Sequence, residues 1–331
     1  MIDPELLRWL ARALGTDAVE PGPRIQRLWG GYGELRRYFC TNGAARVVVK
    51  HVLPPRPPST PTARRSHERK LRSYAVEAAF YQNYAPRCPV SCRVPLAYAF
   101  AETTQGYSLV LEDLEVSGYG PAPAVPTIAQ ISACVSWLAH FHATFMGVSA
   151  PDLWRVGTYW HLATRPDELR ELRHLQLRAA AARIDVHLRS AAFQCLVHGD
   201  AKSDNFCLAE TNEVAAVDFQ YVGQGPGVKD LVYFLSSCLG DADLETRSDN
   251  IIDHYFEQLD GALQSQPRPW PAPTRRQLEQ EWRDLVPWAW ADLYRFLLGW
   301  APGQFAPRGP GWRSTMELLD SWRQDPQTAE P

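Results

Sequence analysis

No stretch of this chain constrains its fold more than LVHGDAKSDNFCLAETNEVAAVDF, residues 196–219. It enters through two apolar residues, as a buried strand would. It then places His198, Asp200, Lys202, Asp204 and Asn205 within eight positions. Two mainly apolar runs follow, NFCLA (205–209) and VAAVDF (214–219), separated by the polar turn ETNE. Short runs around such a turn read as an antiparallel hairpin. A hairpin returns the end of its second strand to the start of its first, so Asp218 comes back beside Asn205. An amide oxygen and a carboxylate suit Mg²⁺, a hard cation that takes one or two protein ligands and adds phosphate oxygens. Asp200, in the loop before the hairpin, remains free to orient a hydroxyl and accept its proton. Lys202 offers a point charge to a phosphate. A base, metal ligands and cations on the moving charge are what phosphoryl transfer requires.

The rest of the chain divides by secondary structure around this segment. IQRLW (25–29) and ELRRYFC (34–40) flank the turn GGYG, and ARVVVKHVL (45–53) follows Asn42-Gly43, a pair that tolerates the positive φ of a hairpin turn. VPLAYAF (94–100) and YSLVLEDL (107–114) read as two more strands. One helix, ERKLRSYAVEAAFYQNY (68–84), sets Leu71, Tyr74, Ala78 and Tyr81 on one face. Between them PPRPPSTPTARR (54–65) holds too much proline for helix or strand and reads as an exposed, mobile loop. Beyond residue 114 apolar residues recur at helical spacing over 128–147, over 168–190 as one helix or a pair, over 230–239 and onward. The expectation is an α+β fold in two lobes joined near residues 112–116. A five-stranded sheet with one helix precedes a helical body interrupted by a β-hairpin.

Composition excludes several classes. A length of 331 residues suffices for one large domain or two lobes, and a net charge of −3 gives no reason to expect nucleic acid as a partner. The start, MIDPELLRWLARALG, is acidic at its tip and amphipathic, unlike a secretion signal. LVPWAWADLYRFLLGW (285–300) carries Asp292 and Arg295 and reads as a bundle helix, not a membrane span. Seven cysteines, an odd number with no CxxC pair, read as reduced thiols of a cytoplasmic protein.

With HGDAKSDN followed by DF thirteen residues on, the chain resembles the kinase-like small-molecule phosphotransferases, the aminoglycoside phosphotransferase and choline kinase group, which shares HGDxxxxN. Within it the chain looks nearest the ecdysteroid-kinase-like branch, through VDFQ (217–220) and RKLRSYAVEAAFYQNYAP (69–86). The resemblance covers nearly the whole chain. It implies a bilobal protein-kinase-like fold, with residues 1–113 binding nucleotide and residues 114–331 carrying catalytic loop, metal site and acceptor. It implies ATP and Mg²⁺. Gly30, Gly31 and Gly33 would cover the nucleotide phosphates, Lys50 would pair with them, and Glu77 would hold that lysine. The otherwise apolar setting of Glu77, AVEAAFY, also argues for an inward role. Leu111 would precede the hinge, with the Glu112 carbonyl and the Leu114 amide meeting the adenine edge. Asp200 is then the base, Lys202 the phosphate-directed cation, and Asn205 and Asp218 the metal ligands. Asp230, in GPGVKDL, matches an aspartate that braces the catalytic loop, and it also reads as an N-cap of the next helix. Gln220 stands where protein kinases have glycine, which argues against a swinging activation segment. Most aminoglycoside enzymes have histidine where this chain has Lys202. His198 reads as a structural histidine bonded to backbone, and His140 and His142 as helix-packing residues.

One check is independent of the family. Only Lys50, Lys70, Lys202 and Lys229 among the 34 basic residues are lysine, yet both cations assigned to phosphate are lysines. Arginine and lysine are not interchangeable where a compact charge must fit. The acceptor is a small-molecule hydroxyl. Residues 219–331 hold 16 acidic and 10 basic residues, which suits a cationic acceptor of the choline or aminoglycoside type. The same residues hold seven of the twelve tryptophans, which either fill a core or line a site for a rigid apolar alcohol. The expectation is an ATP-dependent kinase of a largely apolar alcohol. The alternatives are a cationic acceptor, or a catalytically weak binding protein on the same fold.

Overall fold

The computed structural model describes residues 3–41, 46–103, 106–303, 305 and 307–324; the turn read at Asn42-Gly43 lies outside them. The amphipathic start forms α1 (Pro4–Leu14), capped by the Asp3 side chain on the Glu5 amide and closed by Gly15 in the left-handed conformation. A sheet follows. Its strands are β1 (Val19–Arg27), β2 (Gly33–Cys40) and β3 (Arg46–Val52), then, after α2 (Pro61–Asn83), β4 (Ala97–Thr103) and β5 (Gly106–Glu112). They run antiparallel in the order β1-β2-β3-β5-β4. The period-two alternation of strands sorts β3 between two faces. Val47 and Val49 join Leu6 and Leu10 of α1, whereas Val52 meets Tyr32 and Tyr74 of α2 on the other side. Lys50 therefore points to the α2 side.

The remaining elements are β6 (Tyr119–Pro121), α3 (Ile128–Thr144), α4 (Pro166–Glu171), α5 (Leu175–Arg189), β7 (Cys195–Val197), β8 (Phe206–Ala209), β9 (Val214–Ala216), β10 (Gly223–Gly225), α6 (Val228–Cys238), α7 (Asp241–Gln264), α8 (Ala272–Trp300) and α9 (Gly309–Gln324). One continuous core joins α2 and the inner residues of β5 to α3 and the C-terminal helices. Phe219 lies at its middle, fully buried and stacked on Phe80 of α2 with ring centroids 4.0 Å apart. Trp137 and Phe141 of α3 close around the same ring.

The structure departs from the sequence expectations at several points. The proline-rich stretch is irregular only to residue 60. Thr60 caps the Ala63 amide and Pro61 begins α2, so residues 61–65 are helical; proline fits a first helical turn because no partner is lost there. Leu71, expected on the buried face of that helix, is 37% exposed, while Tyr74, Ala78 and Tyr81 are buried. Strand β1 begins at Val19 rather than near residue 25, and Trp29 sits in a single 3₁₀ turn. The 168–190 region is a helix pair. The β8–β9 hairpin is widened by β6, and β7 pairs with β10 in a second small sheet that short strands gave no means to foresee. Most of the C-terminal tryptophans pack α8 against α5 and α9. Trp288 stacks on His187 and meets Trp322, Trp312 meets His174 and Tyr294, and Trp282 is fully buried. Trp300 alone of the seven is exposed, at 61%. All seven cysteines are free thiols, and among the described residues no helix is long and apolar enough to cross a membrane.

Candidate active site

Lys50 leaves β3 toward α2. Its Nζ lies 2.6 Å from Glu77 Oε2 and 3.2 Å from Asp218 Oδ1. Burial alone would depress the ammonium pKa. The charges of Asp218 and Glu77 outweigh it and raise the pKa, so Lys50 stays protonated. Glu77 points inward from α2 and is 2% exposed. A buried charge of this kind persists only when paired.

Asp218 follows β9 with a positive φ of 68°, which turns its carboxylate back toward the sheet. Burial acts to raise its pKa; the Lys50 charge and the Gln220 amide prevail and hold it below the ordinary value. Gln220 ties this segment down. Its Nε2 donates to Asp218 Oδ1 at 2.7 Å, its Oε1 accepts from Ser73 of α2 at 3.1 Å, and its carbonyl accepts from the Trp154 indole at 2.8 Å. Asp218 is thus positioned from α2 twice, through Glu77–Lys50 and through Ser73–Gln220.

Asp200 sits in the loop after β7. Asn205 Nδ2 donates to its carbonyl at 2.7 Å and to its Oδ2 at 3.0 Å. Burial first, and the Asp218 charge second, push the Asp200 carboxyl up to about 7, while Lys202, Asn205 and Tyr233 pull the other way. Lys202 is half-buried beside it, and its amide donates to the Asp200 carbonyl at 2.8 Å. His198 is a structural histidine bonded to backbone. Its Nε2 donates to the Val217 carbonyl at 3.0 Å and its Nδ1 accepts the Asp200 amide at 3.2 Å, a pattern only one neutral tautomer satisfies. Burial lowers its pKa and keeps it neutral.

Asp230 is fully buried and accepts the His198 amide at 2.5 Å, the Gly199 amide at 2.9 Å and His142 Nε2 at 3.1 Å. The N-cap reading of Asp230 is corrected: Gly227 holds that position, and the carboxylate is fully engaged by the loop. His142 is likewise more than a packing residue, since its second nitrogen bonds the Tyr255 hydroxyl at 2.8 Å.

Gly30, Gly31 and Gly33 all have positive φ. At Gly33 a Cβ would lie 2.0 Å from the His51 carbonyl oxygen, so no other residue fits. The turn is closed by Leu28 N to Gly33 O at 2.9 Å and Gly31 N to Leu28 O at 3.2 Å. At the end of β5, Leu111 is packed into the main core. The Glu112 carboxylate is held by Arg93 at 2.5 Å, Ser117 at 2.5 Å and the Leu96 amide at 3.1 Å, which leaves only its backbone for a ligand. The β-ladder stops there, short of the Leu114 amide. Arg37 and Arg46 both grip Asp113, at 2.9 and 2.5 Å, and both reach Glu115.

Beyond Asp200 stands a wall of rings that sequence reasoning missed. Tyr233 lies beside Asp200 and favours its charged form, and its ring centroid is 5.5 Å from that of Tyr159. Tyr159 in turn meets Tyr221 at 5.9 Å and Phe296 at 5.1 Å. Isolated tyrosines carry no spacing signal. Gln220, two residues after Asp218, was visible but was read only for its backbone.

The donor set fits Mg²⁺. Asp218 Oδ2 and Asn205 Oδ1 are hard oxygens left over once Lys50, Gln220 and Asp200 have taken the other polar atoms of these side chains.

A five-stranded sheet and a helical body around a lysine–glutamate pair, two aspartates and an asparagine define a kinase-like phosphotransferase. The chain belongs to the phosphotransferase enzyme family (APH), whose family model matches residues 24–270. It is a small-molecule phosphotransferase of that family, and membership implies ATP as phosphoryl donor. The fold is similar to that of choline kinase from Cryptosporidium parvum, with a TM-score of 0.52, 10% identity and 99% of each chain covered. The choline kinase LicA from Streptococcus pneumoniae gives 0.50 at 13% identity, covering 95% of this chain and 97% of its own. A microcompartment-associated aminopropanol kinase gives 0.50 at 12% identity, covering 95% and 93%. At these identities the likeness is one of fold. No curated protein sequence matches the chain.

Proposed function

We propose that this protein is an ATP- and Mg²⁺-dependent kinase that transfers the γ-phosphate to a hydroxyl of a neutral, largely apolar small molecule, in the manner of the ecdysteroid-kinase-like branch. The observation that carries the reading is that Lys50 joins Glu77 and Asp218 while Asn205, whose carbonyl takes the Val217 amide, holds Asp200, with Asp200 Oδ2 and Asp218 Oδ1 each held by a side-chain amide. Residues 1–113 hold the nucleotide and residues 114–331 the chemistry. The adenine edge meets the Glu112 carbonyl and the Leu114 amide, and the phosphates lie between the Gly30–Gly33 turn and Lys50. Asn205 and Asp218 would hold Mg²⁺, which would supply positive charge against the phosphate oxygens. Asp200 orients the acceptor hydroxyl and takes its proton as the oxygen bonds to the γ-phosphorus and the bond to the β-phosphate oxygen breaks, releasing ADP. Lys202 faces the transferring phosphoryl group. The seven free thiols suit a reducing cytoplasm.

The acceptor reading rests on different residues from those the sequence suggested. The tryptophans are mostly packing, and the support comes from Tyr159, Tyr221 and Tyr233 beside Asp200, backed by the buried Phe296. Two carboxylates close to these rings are already paired, Glu168 with Arg165 at 3.0 Å and Asp167 with Arg65 at 2.6 Å, and so are not free to hold an ammonium. ADP-release assays with a hydroxysteroid, choline and kanamycin at matched concentration test this. Turnover with the hydroxysteroid is expected. Clear turnover with choline or kanamycin and none with any apolar alcohol overturns the acceptor class.

A further inference from the structure

Of the four lysines, Lys50 and Lys229 touch carboxylates and Lys202 lies beside Asp200. Lys70 has no such neighbour. Among the described residues its Nζ has no carboxylate within ion-pair distance. It lies 4.9 Å from the centroid of the Tyr32 ring, half-buried, and the neighbouring Arg69 acts on it as a second positive charge. Burial and Arg69 both lower its pKa. Arg69 offers no relief, because it donates to the neutral Thr164 carbonyl at 3.0 Å. A cation taken partly out of water and left without an anion is unfavourable unless an anion arrives. The ring face of Tyr32 compensates for only part of that.

The location says which anion. Lys70, Ser73 and Glu77 follow one another at helical spacing along a single face of α2. Glu77 holds Lys50, and Ser73 holds Gln220 and through it Asp218. Lys70 is one turn further along, directly under the turn. A Cβ on Gly30 would come 2.6 Å from its Nζ, so glycine at this position, with φ of +71°, clears the space the lysine occupies. The Gly31 amide is used within the turn itself, on the Leu28 carbonyl. The turn therefore has fewer N–H groups to offer a phosphate, and a cation beneath it supplies the missing attraction. Tyr32 is fixed in turn by a 2.5 Å hydrogen bond to His67 of α2.

We propose that Lys70 is a third phosphate-directed cation of this site, engaging the terminal phosphate of the nucleotide from beneath the Gly30–Gly33 turn. This rests on the reading that the turn and Lys50 bind a nucleoside triphosphate. Calorimetric titration of the full chain with the β,γ-imido analogue of ATP, with ADP and with AMP, in Mg²⁺ and without acceptor, tests it. Lys70→Met should weaken the triphosphate analogue about 10- to 100-fold, the scale of a charge-assisted contact, and ADP and AMP less than about threefold. Lys70→Arg should restore part of the loss. Lys50→Met is the reference and should weaken ADP as well. Unchanged binding of all three ligands to Lys70→Met, or an equal loss for all three, overturns the proposal while leaving the nucleotide site intact if Lys50→Met still weakens ADP. If neither the wild type nor Lys50→Met discriminates among the ligands, the nucleotide-site reading fails and the proposal with it.

Discussion

Asp200 carries the sharpest expectations at the scale of single residues. Its carboxyl, raised to about 7, must be ionised to accept a proton, so kcat/KM should fall as pH drops through about 7. Tyr233→Phe removes a donor that stabilises the charged form. The acidic limb should then move to higher pH, and an unmoved limb means that another group sets it. Asp200→Asn should lower turnover by about 10²–10⁴-fold with nucleotide binding nearly intact. It should also stabilise the fold. A carboxyl whose folded pKa lies above its unfolded value resists ionisation in the native state. The cost is absent below about pH 4, grows between pH 4 and 7, and is complete above. Urea unfolding at pH 8 should therefore show the variant more stable by about 1–3 kcal/mol, with no difference at pH 4. Equal stability at both pH values contradicts the burial of an unwelcome charge. Lys50→Met and Glu77→Gln, whose side chains meet at 2.6 Å, should show coupling of about 1–3 kcal/mol in the free energy of Mg–ATP binding, because either change alone destroys the same pair. Strict additivity would mean that the pair does not act as a unit.

At the scale of elements, α2 organises the site. Glu77 and Ser73 fix Asp218 from two directions, and Arg72 reaches across to the Asp152 and Leu153 carbonyls. Much of this was legible. HGDAKSDN and VDFQ announced the loop and hairpin, because a hairpin's geometry forces Asp218 back toward Asn205, and AVEAAFY announced an inward glutamate. The start of α2 was not legible, because proline reads as a breaker unless the preceding cap is recognised, and Thr60–Pro61 is such a cap. Nor was the ring wall of Tyr159, Tyr221 and Tyr233, whose members come from three separate segments that only tertiary packing brings together. The third partner of Asp230, His142 on α3, lies 88 residues away from it and has no local signature.

At the scale of the whole molecule, two polar knots hold the site, the first fully buried and the second partly exposed. One is Asp230, which accepts the His198 and Gly199 amides and His142 without solvent. Asp230→Ala leaves these donors unpaired and should destabilise the protein by about 3 kcal/mol or more, seen as a lowered urea midpoint, with activity falling in parallel. A variant of wild-type stability would show that water replaces the carboxylate. The other knot is at the end of β5, where Arg37 and Arg46 fasten Asp113 and Glu115 to β2 and β3, and Arg93 fastens Glu112.

The stack of Phe219 on Phe80 bears on pharmacology. Phe219 has no exposed surface, its ring is enclosed by side chains of α2 and α3, and its neighbour Gln220 is moored to Ser73 and Trp154. Compounds that gain potency by evicting this phenylalanine and filling its place would have to dismantle the centre of the core, so inhibitor selectivity must be sought at the less enclosed residues, Asp200 and Tyr233 among them.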